Sequence, residues 1–270
     1  MKSREIAAVV ETIAPISGGM PGDELGFVFG DGEVEVTGVA VCWSPTLAVI
    51  REAARLRCNM IISHEPVFFQ KRWSVDAEAK NTWFEEAEDA CKPVNVARNA
   101  ALAAMKGCVW RAHSNWDTAP KYGIIDGLID ELGVGPAVAR SRFMTLHNVP
   151  PIVVRDLARD VQRKLNTGAI RVTGDLNRKV TRVATMIGGL GQMFNSPEEA
   201  AALGAEAVVA GECLAYTMWN ATELGLSLIE AGHGASENPG MRAMARWLGT
   251  QVKDVPVRFV DTGLAWTMVV

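Results

Sequence analysis

Three short segments of the chain bring an imidazole and a carboxylate together: His64 with Glu65, His113 with Asp117 four residues on, and His233 with Glu237 four residues on. Three of the four histidines are used this way. Imidazole nitrogen and carboxylate oxygen suit borderline and hard divalent ions such as zinc, manganese or iron. Two ions about 3.5–4 Å apart need at least one bridging carboxylate, for which Asp117 and Glu237 are candidates. The chemistry of such a pair is hydrolytic, since it acidifies a bound water and polarises a carbonyl, ring carbon or phosphoryl group. The plainer alternative is that each histidine ends a strand by bonding a backbone carbonyl. Three such residues at one predicted sheet edge favour a shared site over coincidence. His147, in a predicted loop before Pro150, reads as an incidental surface residue.

The elements that must position these groups follow from periodicity. Residues 226–231 read as a buried strand, Gly234 frees the backbone to turn, and Asn238 with Pro239 opens a helix whose apolar face carries Met241, Met244, Ala245 and Leu248. His233 and Glu237 are therefore expected in a strand-to-helix loop, the carboxyl edge where ligands collect in open α/β sheets. Earlier, residues 3–14 have helical spacing, 34–43 reads as a strand covered on both faces, and Ser44-Pro45 starts a helix running to Leu56. The strand 60–63 delivers His64 and Glu65. A helix follows over about 76–90, then a short strand in PVNVARN (93–99) and a strand at 107–112 that delivers His113. A helix over 123–132 ends at Gly133, a predicted C-cap.

From Pro150-Pro151, read as a change of lobe, the pattern begins again. VTRVATMIGG (180–189) is similar to VTGVAVCW (36–43), and after a helix over 198–203, AVVAGE (207–212) aligns with MIISHE, so that Glu212 falls opposite Glu65 and Gly211 opposite His64. The expected fold class is α/β, two related lobes produced by internal duplication, residues 1–135 and 136–270, with the C-terminal segment packing back on the first lobe and a metal site in the cleft between them. Glu212 is expected to line that cleft.

The bulk numbers exclude other classes. With 270 residues, 49% hydrophobic and 21% charged, the chain can bury a sizeable core. A net charge of -4 and a pI near 5.7 give no broad phosphate-tracking surface, so nucleic acid is not an expected partner, despite a local basic group at Arg140, Arg142 and Arg155. The five cysteines include no C-x-x-C pair and read as reduced structural thiols. The N-terminus has no signal-peptide core and no segment reaches 18 uncharged apolar residues, so the expectation is a cytoplasmic protein without a membrane span. GGLG at 188–191 is too short to serve as a phosphate loop. Trp116 and Tyr122 could stack a base-like substrate or belong to the core.

The succession SHEP, AHSNWD, VAGE and GHGASE resembles the dinuclear-metal family of GTP cyclohydrolase 1 type 2, or Nif-three-like, proteins, and the likeness runs nearly end to end. The resemblance implies two related α/β lobes assembled as a toroidal homohexamer around an internal cavity. It makes His64 and His233 ligands, Asp117 a ligand or bridge and Glu237 the shared carboxylate. His113 would stand beside the metals as an outer group or proton carrier. At position 65 the family has a second adjacent histidine where this chain has Glu65, a carboxylate able to ligate the second ion while hardening its site. Two readings follow: a dinuclear metal-dependent hydrolase acting on a small molecule, with a nucleotide or related heterocycle as a candidate substrate, or a non-enzymatic metal-binding scaffold.

Overall fold

The computed structural model describes residues 1–69, 92–267 and 269. The helix expected at 76–90 lies outside the described residues. The chain divides into two compact units, one formed by Met1–Thr12, Pro21–His113 and Leu248–Thr262, the other by Ile13–Met20, Ser114–Trp247 and Gly263–Val270. Among the described residues no helix is long and apolar enough to cross a membrane.

The first unit is built on a five-stranded sheet of β1 (Gly26–Phe29), β2 (Val39–Cys42), β3 (Met60–Ser63), β4 (Cys108–Arg111) and β11 (Val257–Phe259), in the order β1-β4-β3-β2-β11. All pairs are parallel except β1 with β4. Strands β2, β3 and β4 are buried along their whole length, which is why their sequences are mainly apolar rather than alternating, with Ser63 and Arg111 at the ends of β3 and β4. The helices α1 (Ser3–Glu11), α2 (Leu47–Arg55) and α3 (Pro93–Ala104) accompany them. Ala40, Ile61 and Val109 from the strands pack with Val49, Ile50 and Leu102 from α2 and α3.

Two expectations are corrected here. The strand read at 34–43 shrinks to Val39–Cys42, because the backbone of 34–36 pairs with the chain's first residues instead: Ser3 N donates to Val34 O at 2.9 Å and Val36 N to Met1 O at 3.0 Å. PVNVARN is the start of α3 rather than a strand. Pro93 stands at the first helical turn, where no N–H is needed, five alanines follow, and Asn95, Arg98 and Leu102 bury one stripe. The misleading residues, Val94 and Val96, are exposed.

The second unit carries a six-stranded sheet of β5 (Ala137–Arg140), β6 (Met144–Val153), β7 (Arg171–Thr173), β8 (Lys179–Met186), β9 (Ala207–Ala210) and β10 (Ser227–Glu230), in the order β5-β6-β8-β9-β10-β7. Its helices include α4 (Ser114–Asp117), α5 (Ile124–Leu132), α6 (Val154–Lys164), α7 (Ser196–Ala202), α8 (Ala215–Glu223) and most of α9 (His233–Gln251). Gly133 caps α5 in the left-handed conformation (φ 60°), as its position predicts. Pro150 and Pro151 lie exposed inside β6, where the pairing with β8 shifts register between Asn148 and Ile152. His147 is not a surface residue. It is fully buried in β6, its Nδ1 donating to Gly135 O at 2.9 Å and its Nε2 lying 2.8 Å from the Thr145 hydroxyl.

The two sheets repeat one plan. The order β1-β4-β3-β2 matches β7-β10-β9-β8, with the first pair antiparallel and the others parallel in each. Even the register agrees with the sequence alignment, since Val39 pairs with Met60 and Cys42 with Ser63, as Val183 pairs with Ala207 and Met186 with Ala210. The expected α/β fold is therefore observed, its duplication visible at the level of single pairs.

Candidate metal centre

In the first unit the donors leave the ends of two adjacent parallel strands. Ser63 pairs with Arg111, so the residues just beyond β3 and β4 emerge side by side. The turn after β3 is pinned to the end of β2, with the backbone N–H groups of His64 and Glu65 donating to Trp43 O at 3.1 and 2.8 Å. His64 is fully buried, and its Nδ1 donates to Ala112 O at 2.9 Å. A carbonyl only accepts, so the neutral ring carries its lone pair on Nε2, the state in which imidazole ligates a metal. The His64 and His113 rings stand 4.7 Å apart at 54°. His64, Glu65 and His113 each offer a ligand atom within 4.8 Å of the others. His113 Nδ1 lies 2.9 Å from Asp23 Oδ2.

In the second unit the carriers are helical. His233 and Glu237 were expected in a loop ahead of a helix capped by Asn238. Instead α9 begins at His233 and runs through Pro239. Gly232, at φ 100°, makes the turn out of β10 that lets the helix start at once, and its carbonyl accepts from Ser236 N at 3.0 Å. The two donors thus stand one turn apart on one face, with His233 Nε2 3.3 Å from Glu237 Oε2. His233 Nδ1 faces Glu212 Oε2 at 3.2 Å, and Glu212 also accepts from Gln192 Nε2 at 3.2 Å. The hydrogen bond from His233 holds the Glu212 carboxyl below its usual range. Asp117, buried at the end of α4, offers an oxygen within 4.8 Å of one from Glu237.

Gly188 keeps this face open. At φ 54° it follows β8, and a Cβ there would lie 2.0 Å from Glu237 Oε1 and 3.2 Å from His233 Nε2. The GGLG stretch therefore walls the carboxylate-imidazole pair. Trp116 is core: it is fully buried with its ring 5.8 Å from that of Trp247, against which Tyr122 also stacks at 5.8 Å.

Sequence reasoning passed over Asp23, which touches His113, and missed the role of Gly188. It found Glu212 through the repeat alone. For Asp23 the sequence carried no signal, since it reaches His113 only through the antiparallel β1–β4 pair, which sets the lead-in to β1 beside the end of β4. Among the described residues the cysteines supply no donors here. Burial pushes the Cys108 thiol up to about 11 and that of Cys213 up to about 12, so both stay protonated. What remains is a donor set of imidazole nitrogens and carboxylate oxygens, largely buried and set by strand ends, which fits divalent cations.

An α/β duplication with imidazole and carboxylate donors at strand ends defines the class. A family model described as Duf34/NIF3 (NGG1p interacting factor 3) matches residues 1–263, and the chain belongs to that family. The resemblance read from SHEP, AHSNWD and GHGASE is thus borne out. Among relatives named GTP cyclohydrolase 1 type 2 homolog, the one from Clostridium acetobutylicum is 26% identical over 266 residues, covering 92% of this chain and 90% of its own length. The one from Nostoc sp. is 31% identical over 210 residues, covering 74% and 73%. A Bacillus cereus protein related to NIF3 superimposes with a TM-score of 0.80 at 16% identity, covering 100% of this chain and 99% of that one, which speaks to the fold.

Proposed function

We propose that the chain is a dinuclear metal-dependent hydrolase acting on a small molecule, with a nucleotide or related heterocycle as the substrate class to test first. His64, Glu65, Asp117, His233 and Glu237 would hold two divalent ions, zinc, manganese or iron. The observation that carries this reading is the pairing of buried carboxylate oxygens with imidazoles whose Nδ1 is already engaged by Ala112 O in one unit and by Glu212 in the other. Two such ions would supply Lewis acidity and lower the pKa of a bound water.

The chain's own residues do the rest. The backbone bonds to Trp43 O fix where His64 and Glu65 point, Glu212 orients His233, and Gly188 leaves room on the carboxylate face. His113, half-exposed beside His64, is the proton carrier in this reading. The names of the relatives support a cyclohydrolase-type reaction as one case to examine. We further propose a homo-oligomer, a hexamer on the family resemblance, lobes at 1–135 and 136–270 on the repeated strand order, and a cytoplasmic setting, supported by four unbridged buried cysteines among the described residues.

The test is elemental analysis followed by a screen of the metal-loaded protein against nucleotides, cyclic amides and phosphoesters. One to two metal equivalents per chain and a substrate turned over faster than by a Glu237→Ala control are expected. Metal bound without such turnover would leave the scaffold reading in its place.

A further inference from the structure

The loop before β1 reaches the end of β4 through the antiparallel register that pairs Gly26 with Arg111. It brings Asp23 against two groups at once. Oδ1 accepts from Arg111 Nη1 at 2.7 Å, and Oδ2 lies 2.9 Å from His113 Nδ1. Arg111 is itself tied down, its Nη1 also donating to Glu24 O at 2.8 Å and its Nε to His64 O at 3.0 Å. The Asp23 and Arg111 side chains are only 11% and 7% exposed, which separates the pair from an ordinary surface salt bridge.

We propose that Asp23 is the positioning residue of His113, fixing its neutral ring in the tautomer that carries the proton on Nδ1. The lone pair is thereby set on Nε2, the ring nitrogen turned away from Asp23. The inference deepens the role given to His113 above and rests on that reading for its consequence in catalysis, though not for the tautomer itself. Chemistry gives the arrangement a direction. Guanidinium only donates, so the Asp23 oxygen beside Arg111 must accept, and a carboxylate presents a second acceptor to Nδ1. An asparagine at 23 would keep its one carbonyl oxygen on Arg111 and turn its amide N–H toward His113. Nδ1 would then have to accept, and the proton would move to Nε2. The shape of the site would be kept while the ring was reversed.

The tautomer can be read directly from the nitrogen chemical shifts of His113 in ¹⁵N-labelled full-length protein at alkaline pH, where imidazole is neutral. Metal-free protein avoids any effect of a bound ion. The Nδ1–H form is expected in the wild type and the Nε2–H form in Asp23→Asn. With metal restored, Asp23→Asn is expected to keep its metal content while the best reaction found in the substrate screen slows by about 10²-fold to 10⁴-fold. A wild-type ring in the Nε2–H form overturns the proposal whether or not the variant folds. So does a variant whose ring is unchanged. Should the tautomer and its reversal appear as expected while the wild type turns nothing over, the positioning role is supported and only the hydrolase reading fails.

Discussion

Glu65 is the residue at which this chain departs from the resemblance that otherwise organises the site. Its side chain is buried and its backbone N–H is held by Trp43 O at 2.8 Å, so the carboxylate is placed by the end of β2 rather than left to swing. A carboxylate there favours harder ions than an imidazole would. Replacing Glu65 with histidine is expected to raise the preference for zinc over manganese on the order of 10-fold, the size of effect that even an outer-shell change can produce. Competition titrations read the ratio, and an unchanged preference would remove Glu65 from the ligand set. The candidate ligands were legible in the sequence because three imidazole-carboxylate pairings stand at predicted strand ends. Outer partners were not, because Asp23 lies 90 residues from His113 and meets it only through a strand pair.

At the scale of elements, strands were easier to read than the joints between them. Apolar runs such as MIIS and AVVAGE gave β3 to the residue and placed β9 at the start of 207–212. The error at α9 arose because Asn238-Pro239 carries the local signature of a helix start. The glycine turn at Gly232 and the packing of the helix overrode that signal. That packing is unusually close: a Cβ on Gly127 of α5 would lie 2.5 Å from the α carbon of Gly240 on α9. Both positions must stay bare for the helices to meet, and the first turn of the same α9 presents His233 and Glu237. Gly127→Ala would ordinarily favour a helix, yet here overpacking is expected to destabilise the protein by about 1–3 kcal/mol. Metal affinity should fall as well, since the crossing sets where the two candidate ligands stand. Urea midpoints and metal titration together check this. A variant as stable as the parent would show that the helices can separate at no cost.

For the whole molecule, duplication supplies the plan and the two copies then diverge around it. The plan was legible because VTRVATM and AVVA repeat VTGVAVC and MIIS at matching register, whereas the outer strands differ: β11 returns from the C-terminus to flank β2, and β6 flanks β8. One buried group on β6 then couples the stability of the fold to pH. Burial holds His147 below its ordinary pKa of 6.5, against the opposing pull of the backbone acceptors at Gly135 and Pro136. Its folded-state value is therefore the lower of the two, and in the window beneath 6.5 the unfolded chain binds the proton first. The stability that His147 contributes is complete above 6.5 and is lost as pH falls through the folded value, below which the loss levels off. Stability should accordingly decline between pH 7.5 and 5. The decisive quantity is the difference between the parent and His147→Gln. The variant lacks the Gly135 bond and should be the less stable at pH 7.5, but its decline toward pH 5 should be shallower, so that the two curves converge. Denaturation midpoints collected across that range that run parallel would show that His147 takes no part in the pH dependence.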